Sequence, residues 1–108
     1  MPPVALRVRV CKLDQVVEGE LRAFPVTGVT WPVMMTIVGG DVFAFQGVCP
    51  HDDVPLAEYG VLAEDGVVCR VHGYRFDLRS GRCEHAPGLH LRRYRITLIG
   101  TEVWVDLL

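Results

Sequence analysis

The chain has 108 residues, of which 50% are apolar and 22% are charged, and its formal net charge at pH 7 is −2. This length favours one domain with a modest core, and we expect a single domain over residues 1–108. The near-neutral charge gives no indication of a nucleic-acid partner. No apolar run reaches the roughly 18 residues that a membrane span needs, so no membrane partner is expected either.

The first residues bear on the cellular compartment. Met1-Pro2-Pro3-Val4 contains no basic region followed by an apolar stretch, so it does not resemble a secretory signal. We therefore expect a cytoplasmic, reducing environment, in which the four cysteines are not expected to form disulfides. Cys11 and Cys83 have no obvious partner in a motif, and we interpret both as packing residues.

The N-terminal third predicts short strands. Apolar and polar residues alternate over 4–10, which is typical of a strand with one buried face. Residues 13–16 are expected to form one helical turn capped by Asp14. A second strand is predicted over 21–26, and Pro25 favours a position at the edge of a sheet, since proline cannot donate to a neighbouring strand.

The rest of the chain continues this pattern. Gly39-Gly40-Asp41 is a hairpin signal between two β-branched or aromatic segments. Further strands are predicted over 33–38, 42–46, 67–69, 74–78, 93–99 and 102–107. No segment keeps a 3.6-residue apolar period for three turns, so the sequence predicts an all-β fold.

Two Cys-His pairs stand out in the middle of the chain. Cys49 is followed two residues later by His51, and Cys69 is followed three residues later by His72, with seventeen residues between the two pairs. Two thiolates and two imidazoles can hold a tetrahedral zinc ion, or a [2Fe-2S] cluster with cysteines on one iron and histidines on the other. Structural zinc sites usually pair Cys with Cys and His with His, whereas each pair here is mixed. We interpret Gly73 as a residue that lets the backbone approach the metal group with a free N–H.

The surrounding residues resemble a known family. The pattern C-x-H, seventeen residues, then C-x-x-H-G-Y-x-F-D-x-x-S-G is similar to the Rieske iron–sulfur motif. The resemblance is greatest to the soluble Rieske ferredoxins of bacterial multicomponent oxygenases, and extends from V-C-K-L-D near the start to E-V-W-V-D-L near the end. It implies an antiparallel β-sandwich base with a small cluster-binding subdomain inserted at about 47–84.

The resemblance also implies a ligand set and a redox range. Cys49 and Cys69 would bind the inner iron of one [2Fe-2S] cluster, and His51 and His72 the outer iron. Proteins of the quinol-oxidising complexes have an extra disulfide beside the cluster and Ser and Tyr hydroxyls on its sulfurs. The matching positions here are Val54, Val71, Tyr74 and Phe76. We therefore expect a potential at the bottom of the Rieske range, about −150 mV.

The motifs that are absent from the sequence narrow the function. There is no nucleophile paired with a base, no glycine-rich phosphate loop and no mononuclear iron triad, so we expect an electron-transfer component and not an enzyme. The resemblance implies a shuttle from an NAD(P)H-dependent flavoprotein reductase to a terminal oxygenase, either an aromatic-ring dioxygenase of hydrocarbon catabolism or a di-iron monooxygenase. The alternatives are a small Rieske subunit fixed in a larger oxidoreductase such as nitrite reductase, and a zinc-stabilised interaction module.

Charges are unevenly distributed around the two Cys-His pairs. Five acidic residues lie between the pairs, and seven of the ten arginines lie between residues 70 and 95. One interpretation is a set of solvated loops. The other is a polarised face that orients redox partners, with Asp52 and Asp53 beside the exposed imidazoles. The sequence does not decide between the two.

Overall fold

The computed structural model describes residues 6–107, and within this range it confirms the all-β prediction. The only helical elements there are a short helix α1 (Leu56–Tyr59) and a 3₁₀ turn (Leu13–Gln15). The strands are β1 (Arg7–Lys12), β2 (Arg22–Phe24), β3 (Val33–Val38), β4 (Asp41–Gln46), β5 (Gly60–Ala63), β6 (Gly66–Cys69), β7 (Tyr74–Asp77), β8 (Arg95–Ile99) and β9 (Glu102–Asp106). No helix within 6–107 combines the length and the apolar character that crossing a membrane requires.

The strands form three antiparallel sheets of three strands each, in the orders β1-β9-β8, β2-β3-β4 and β5-β6-β7. The first two sheets make the base. They are joined along β4, where the N–H of Gln46 donates to the carbonyl of Arg92 and the N–H of Tyr94 donates to the carbonyl of Ala44. The third sheet lies within the predicted insertion at 47–84. Those boundaries, and the single domain over 1–108, stay predictions.

Strand β3 separates two hydrophobic cores. It is the central strand of its sheet, and its first four residues are fully buried. Met34 belongs to the core that also contains Cys49 and Cys69. Its neighbour Met35 belongs to the second core, between the base sheets, with Cys11 and Val103. Successive side chains of a strand point to opposite faces, so a single strand supports both cores.

Several local predictions are confirmed. The β3–β4 hairpin turns at Gly39 and Gly40, whose φ angles of 60° and 83° lie in the left-handed region that glycine tolerates. Strand β2 ends just before Pro25 and lies at a sheet edge. Cys11 and Cys83 are buried packing residues. All four cysteines lie within the described range and are free thiols.

Other local predictions are wrong or incomplete. Asp14 does not cap the 3₁₀ turn; instead the side chain of Gln15 accepts a hydrogen bond from the N–H of Lys12 at 2.8 Å. Strand β1 continues to Lys12 through an irregularity between Arg9 and Cys11. The first two residues of the predicted strand at 4–10 lie outside the described residues. Helix α1 and strand β5, of four residues each, are not among the predicted elements.

One arginine connects the third sheet to the base. The guanidinium of Arg79 lies 3.0 Å from the carboxylate of Asp41 in the base and 3.5 Å from that of Asp65 at the β5–β6 turn. It also lies 5.3 Å from the ring centroid of Phe43. Two of the clustered charges, Arg79 and Asp65, are therefore engaged in contacts within the fold.

Candidate metal centre

The two Cys-His pairs lie on two loops that close in the same way. In the first loop the N–H of Asp53 donates to the carbonyl of Cys49 at 2.9 Å, and in the second the N–H of Gly73 donates to the carbonyl of Cys69 at 2.8 Å. Asp53 and Gly73 both have left-handed backbones, with φ of 54° and 76°. Each loop is thus one tight turn that begins at a cysteine and ends four residues later.

This geometry corrects the interpretation of Gly73. The N–H of Gly73 is not free to face a metal group, because it closes the turn on Cys69. A Cβ on Gly73 would meet no protein atom within 4 Å, so packing against the rest of the chain is not what requires glycine here. Its left-handed φ is the reason. Asp53 provides the left-handed residue that closes the first loop, since aspartate tolerates left-handed φ angles better than most residues do.

The surrounding elements hold the loops in place. The first loop follows β4 and is closed at its base by the bond from the N–H of Cys49 to the carbonyl of Val54 at 2.9 Å. The second loop joins β6 to β7, which pair directly at Cys69 and Tyr74. Cys49 and Cys69 are buried, at 0% and 1% exposure. The side chains of His51 and His72 are 30% and 54% exposed.

The four side chains come together as two pairs. The thiol sulfurs of Cys49 and Cys69 lie within 4.8 Å of each other and of a carboxylate oxygen of Asp52. Ring nitrogens of His51 and His72 form a second group of the same size around the same carboxylate. The sulfur pair is buried and the imidazole pair is at the surface. The chain thus offers a sulfur end and a nitrogen end.

Asp52 lies between the two ends. Its Oδ2 is 2.9 Å from Nδ1 of His51 and 2.6 Å from Nδ1 of His72. The bond with His72, together with that from His51, holds the pKa of Asp52 below its ordinary value. The sequence predicts that Asp52 and Asp53 lie together beside the exposed imidazoles. The structure separates these neighbours, because Asp52 turns towards the imidazoles while Asp53 stays exposed.

The thiol of Cys49 is in an environment with opposing effects. Burial raises its pKa, while hydrogen bonds from the backbone N–H groups of Asp52 and His51 act in the opposite direction by stabilising the thiolate. Thiolates are the form that binds metals, and binding would release the proton. Backbone N–H groups directed at a cysteine sulfur are also found around iron–sulfur clusters, where they tune the potential.

The donor set suits a dinuclear group better than a single zinc ion. A structural zinc ion needs all four donors around one point. In the described residues the two thiols and the two imidazoles fall in separate groups, which share only the carboxylate of Asp52. Two thiolates on one iron and two imidazoles on the other is the division that a Rieske [2Fe-2S] cluster requires. The side chains present therefore fit that cluster.

Comparison with known proteins decides the family. The chain matches the Rieske [2Fe-2S] domain over residues 7–95. The chain belongs to the Rieske [2Fe-2S] domain family. Proteins of this family bind a [2Fe-2S] cluster, and the cofactor predicted from the Cys-His pairs is confirmed at that level.

Individual relatives narrow the resemblance. The chain is 34% identical to the ferredoxin component of biphenyl 2,3-dioxygenase from Rhodococcus jostii, over 92% of this chain and 91% of the relative. It is 33% identical to the ferredoxin component of the alkene monooxygenase system from Xanthobacter autotrophicus, over 88% and 81%. Among solved structures, the ferredoxin of carbazole 1,9a-dioxygenase from Nocardioides aromaticivorans has a TM-score of 0.75 at 33% identity, over 93% of this chain and 96% of that one. The alignments cover 91%, 81% and 96% of these three relatives.

Proposed function

We propose that this protein is a one-electron carrier whose [2Fe-2S] cluster is held by Cys49 and Cys69 at the inner iron and by His51 and His72 at the outer iron. The supporting observation is the separation of a buried pair of thiols from a surface pair of imidazoles. The bound cluster would supply reversible uptake of one electron. The buried thiols would shield one side of it from water, and the exposed imidazole edges would give a partner access to the other.

The electrons pass, in this proposal, from an NAD(P)H-dependent flavoprotein reductase to a terminal oxygenase. The relatives described above are ferredoxin components of dioxygenase and monooxygenase systems, which supports the oxygenase as acceptor. We propose the reductase as electron donor because we expect the cluster to have a low potential. The potential is expected to be low because the site lacks extra hydroxyl donors, since Phe76 is buried and has no hydroxyl. A cytoplasmic location is proposed because the reductase would draw on NAD(P)H there.

Metal analysis and matched cysteine variants test the ligand assignment. The purified protein should contain about two irons and two acid-labile sulfides per chain. Cys49→Ala and Cys69→Ala should abolish the visible absorption of the cluster, whereas Cys11→Ala should keep it. Cys11 is the matched control because it is equally buried, at 3% exposure, but lies in the other core. Stoichiometric zinc, or a cluster retained in Cys49→Ala, would contradict the proposal.

A histidine variant tests the outer iron. His72→Cys should lower the midpoint potential if the cluster assembles, because a thiolate in place of a neutral imidazole disfavours the added electron. His90→Cys serves as the control, since His90 is exposed and lies outside the candidate centre. Equal potentials in the wild type and His72→Cys would show that His72 is not a ligand.

Native size and kinetics test the shuttle. A free carrier should elute as a small protein from native extract and should be reduced by one partner and oxidised by another in stopped-flow mixing. Permanent co-elution with a large oxidoreductase would favour the fixed-subunit alternative instead.

A further inference from the structure

Tyr74 contacts two histidine rings at the edge of the candidate centre. Its ring centroid lies 4.1 Å from that of His51, with an interplanar angle of 27°. It lies 5.6 Å from the ring centroid of His85, with an angle of 21°. Both pairs are stacked, and offset stacking within this distance is favourable for aromatic rings. Neither Tyr74 nor His85 belongs to the proposed ligand set.

Strand pairing explains why His85 reaches Tyr74. Phe76 of β7 forms an antiparallel bridge with Cys83, although residue 83 lies outside the named strands. Moving two residues outward along both segments in this register places Tyr74 opposite His85. Directly opposite side chains on one face of an antiparallel pair lie close together, so this register brings the rings of Tyr74 and His85 into contact.

The opposite face of the same pairing is fixed independently. The N–H of Glu84 donates to the carbonyl of Arg75 at 3.1 Å, and the two side chains form an ion pair at 2.6 Å. These contacts occur in the register that the Phe76–Cys83 bridge defines. The segment that carries His85 is therefore held against β7 on both faces.

We infer that Tyr74 is a positioning residue for His51, and that His85 supports Tyr74 from the segment paired with β7. A ring lying flat against His51 restricts rotation of the imidazole. It thereby keeps Nδ1 of His51 on the side that Nδ1 of His72 also faces, since both nitrogens contact Oδ2 of Asp52. The contact is made by the face of the Tyr74 ring and not by its hydroxyl. This inference rests on the proposed function, because it takes His51 to be a ligand.

Variants at Tyr74 separate the ring from the hydroxyl. Tyr74→Phe keeps the stacked face, and Tyr74→Leu keeps only the apolar bulk. The readout is the half-life of the cluster in the oxidised holoprotein under excess chelator, followed by visible absorption. Stacked aromatic pairs have a strength that corresponds to about a two- to tenfold change in an equilibrium or rate. We expect Tyr74→Leu to shorten the half-life by that factor and Tyr74→Phe to leave it unchanged.

His85 gives a second test at an exposed position, where a folding defect is not expected. His85→Ala should shorten the half-life less than Tyr74→Leu does, and His90→Ala, an exposed histidine outside the stack, should not change it. Pulsed electron paramagnetic resonance of the reduced protein should show an altered nitrogen coupling for one histidine in Tyr74→Leu only. That spectral change reports on imidazole orientation and would not follow from a general loss of stability.

Two outcomes would overturn the inference that Tyr74 positions His51. Equal half-lives for the wild type, Tyr74→Leu and His85→Ala would show that the stack does not position His51. Equal losses in Tyr74→Phe and Tyr74→Leu would assign the effect to the hydroxyl. Failure of the proposed function looks different, because the wild-type protein would then lack two irons and two sulfides before any variant is compared.

Discussion

Met34 and Met35 offer a matched pair of core substitutions that should separate cluster retention from global stability. The two residues are adjacent on β3, have the same chemistry and are 1% and 0% exposed. Met34 packs in the core that contains Cys49 and Cys69, close to the first loop, since a Cβ on Gly47 would lie 3.3 Å from its Cγ. Met35 packs in the base core, where its sulfur lies 3.8 Å from that of Cys11.

Both substitutions to alanine should reduce the free energy of unfolding by a similar amount. Removing a fully buried methionine side chain typically costs about 2–5 kcal/mol, part of which comes from the cavity left behind. The consequences for the cluster should differ. We expect the cluster to be released when the core around the thiols opens locally. If Met34→Ala lowers the free energy of that local opening by about 1 kcal/mol, cluster release should be about fivefold faster. Met35→Ala should release the cluster at nearly the wild-type rate.

The assay compares two measurements on the same holoproteins. Chelator-driven cluster loss is followed at about 25 °C. Thermal unfolding is recorded at one scan rate and at equal cluster content, because cluster loss makes unfolding irreversible. Equal acceleration by Met34→Ala and Met35→Ala would refute the reasoning, since release would then require global unfolding. No acceleration by Met34→Ala would show that the core around the thiols does not control release.

Three further predictions concern single polar groups. Thr36→Val removes a fully buried hydroxyl that has no hydrogen-bond partner within 6–107, so calorimetry should show a Tm higher by about 4–8 °C for each kcal/mol gained; a lower Tm would mean that the hydroxyl is bonded. The N–H of Arg79 and the hydroxyl of Ser80 hold the pKa of Asp77 below its ordinary 3.8. Its carboxylate therefore stabilises the fold above that pH, and this contribution is lost as the pH falls through the lower folded-state pKa. The Tm difference between the wild type and Asp77→Asn should shrink below about pH 4, and a constant difference would contradict the prediction. Asp53→Asn should flatten the salt dependence of electron transfer with at least one partner in stopped-flow mixing, because Asp53 is an exposed charge beside His51; identical slopes with both partners would refute this.

The parts of the fold that the sequence predicts are those with a local cause. The Gly39-Gly40 hairpin and the edge position of β2 follow from backbone preferences that act within a few residues. The Cys-His pairs are visible because ligand chemistry restricts both residue type and spacing. In each case the physical reason is contained in a short stretch of sequence, and for the hairpin and for β2 the structure has the predicted element.

The features that sequence reasoning missed depend on contacts between distant residues. Tyr74 and His85 meet because residues 82–85 pair with β7, and no local pattern in that segment indicates a strand. The inward turn of Asp52 depends on His72, twenty residues away in sequence. The charge pattern near the motif does not distinguish Asp52 from Asp53, whereas in the loop Asp52 contacts the imidazoles and Asp53 is exposed.

The closure of the two loops that carry the Cys-His pairs shows how one backbone requirement can have two sequence solutions. Both loops return to the carbonyl of their cysteine after four residues, and both need a left-handed residue at that point. The second loop uses Gly73, which carries no steric cost there. The first uses Asp53, whose cost is modest because aspartate enters this region more readily than most residues do. Glycine occupies the closing position only in the second loop, so the sequence does not show that the two loops share a geometry. The φ angles and the hydrogen bonds show it together. The histidine then sits two residues after the cysteine in one loop and three after it in the other, within turns of equal length.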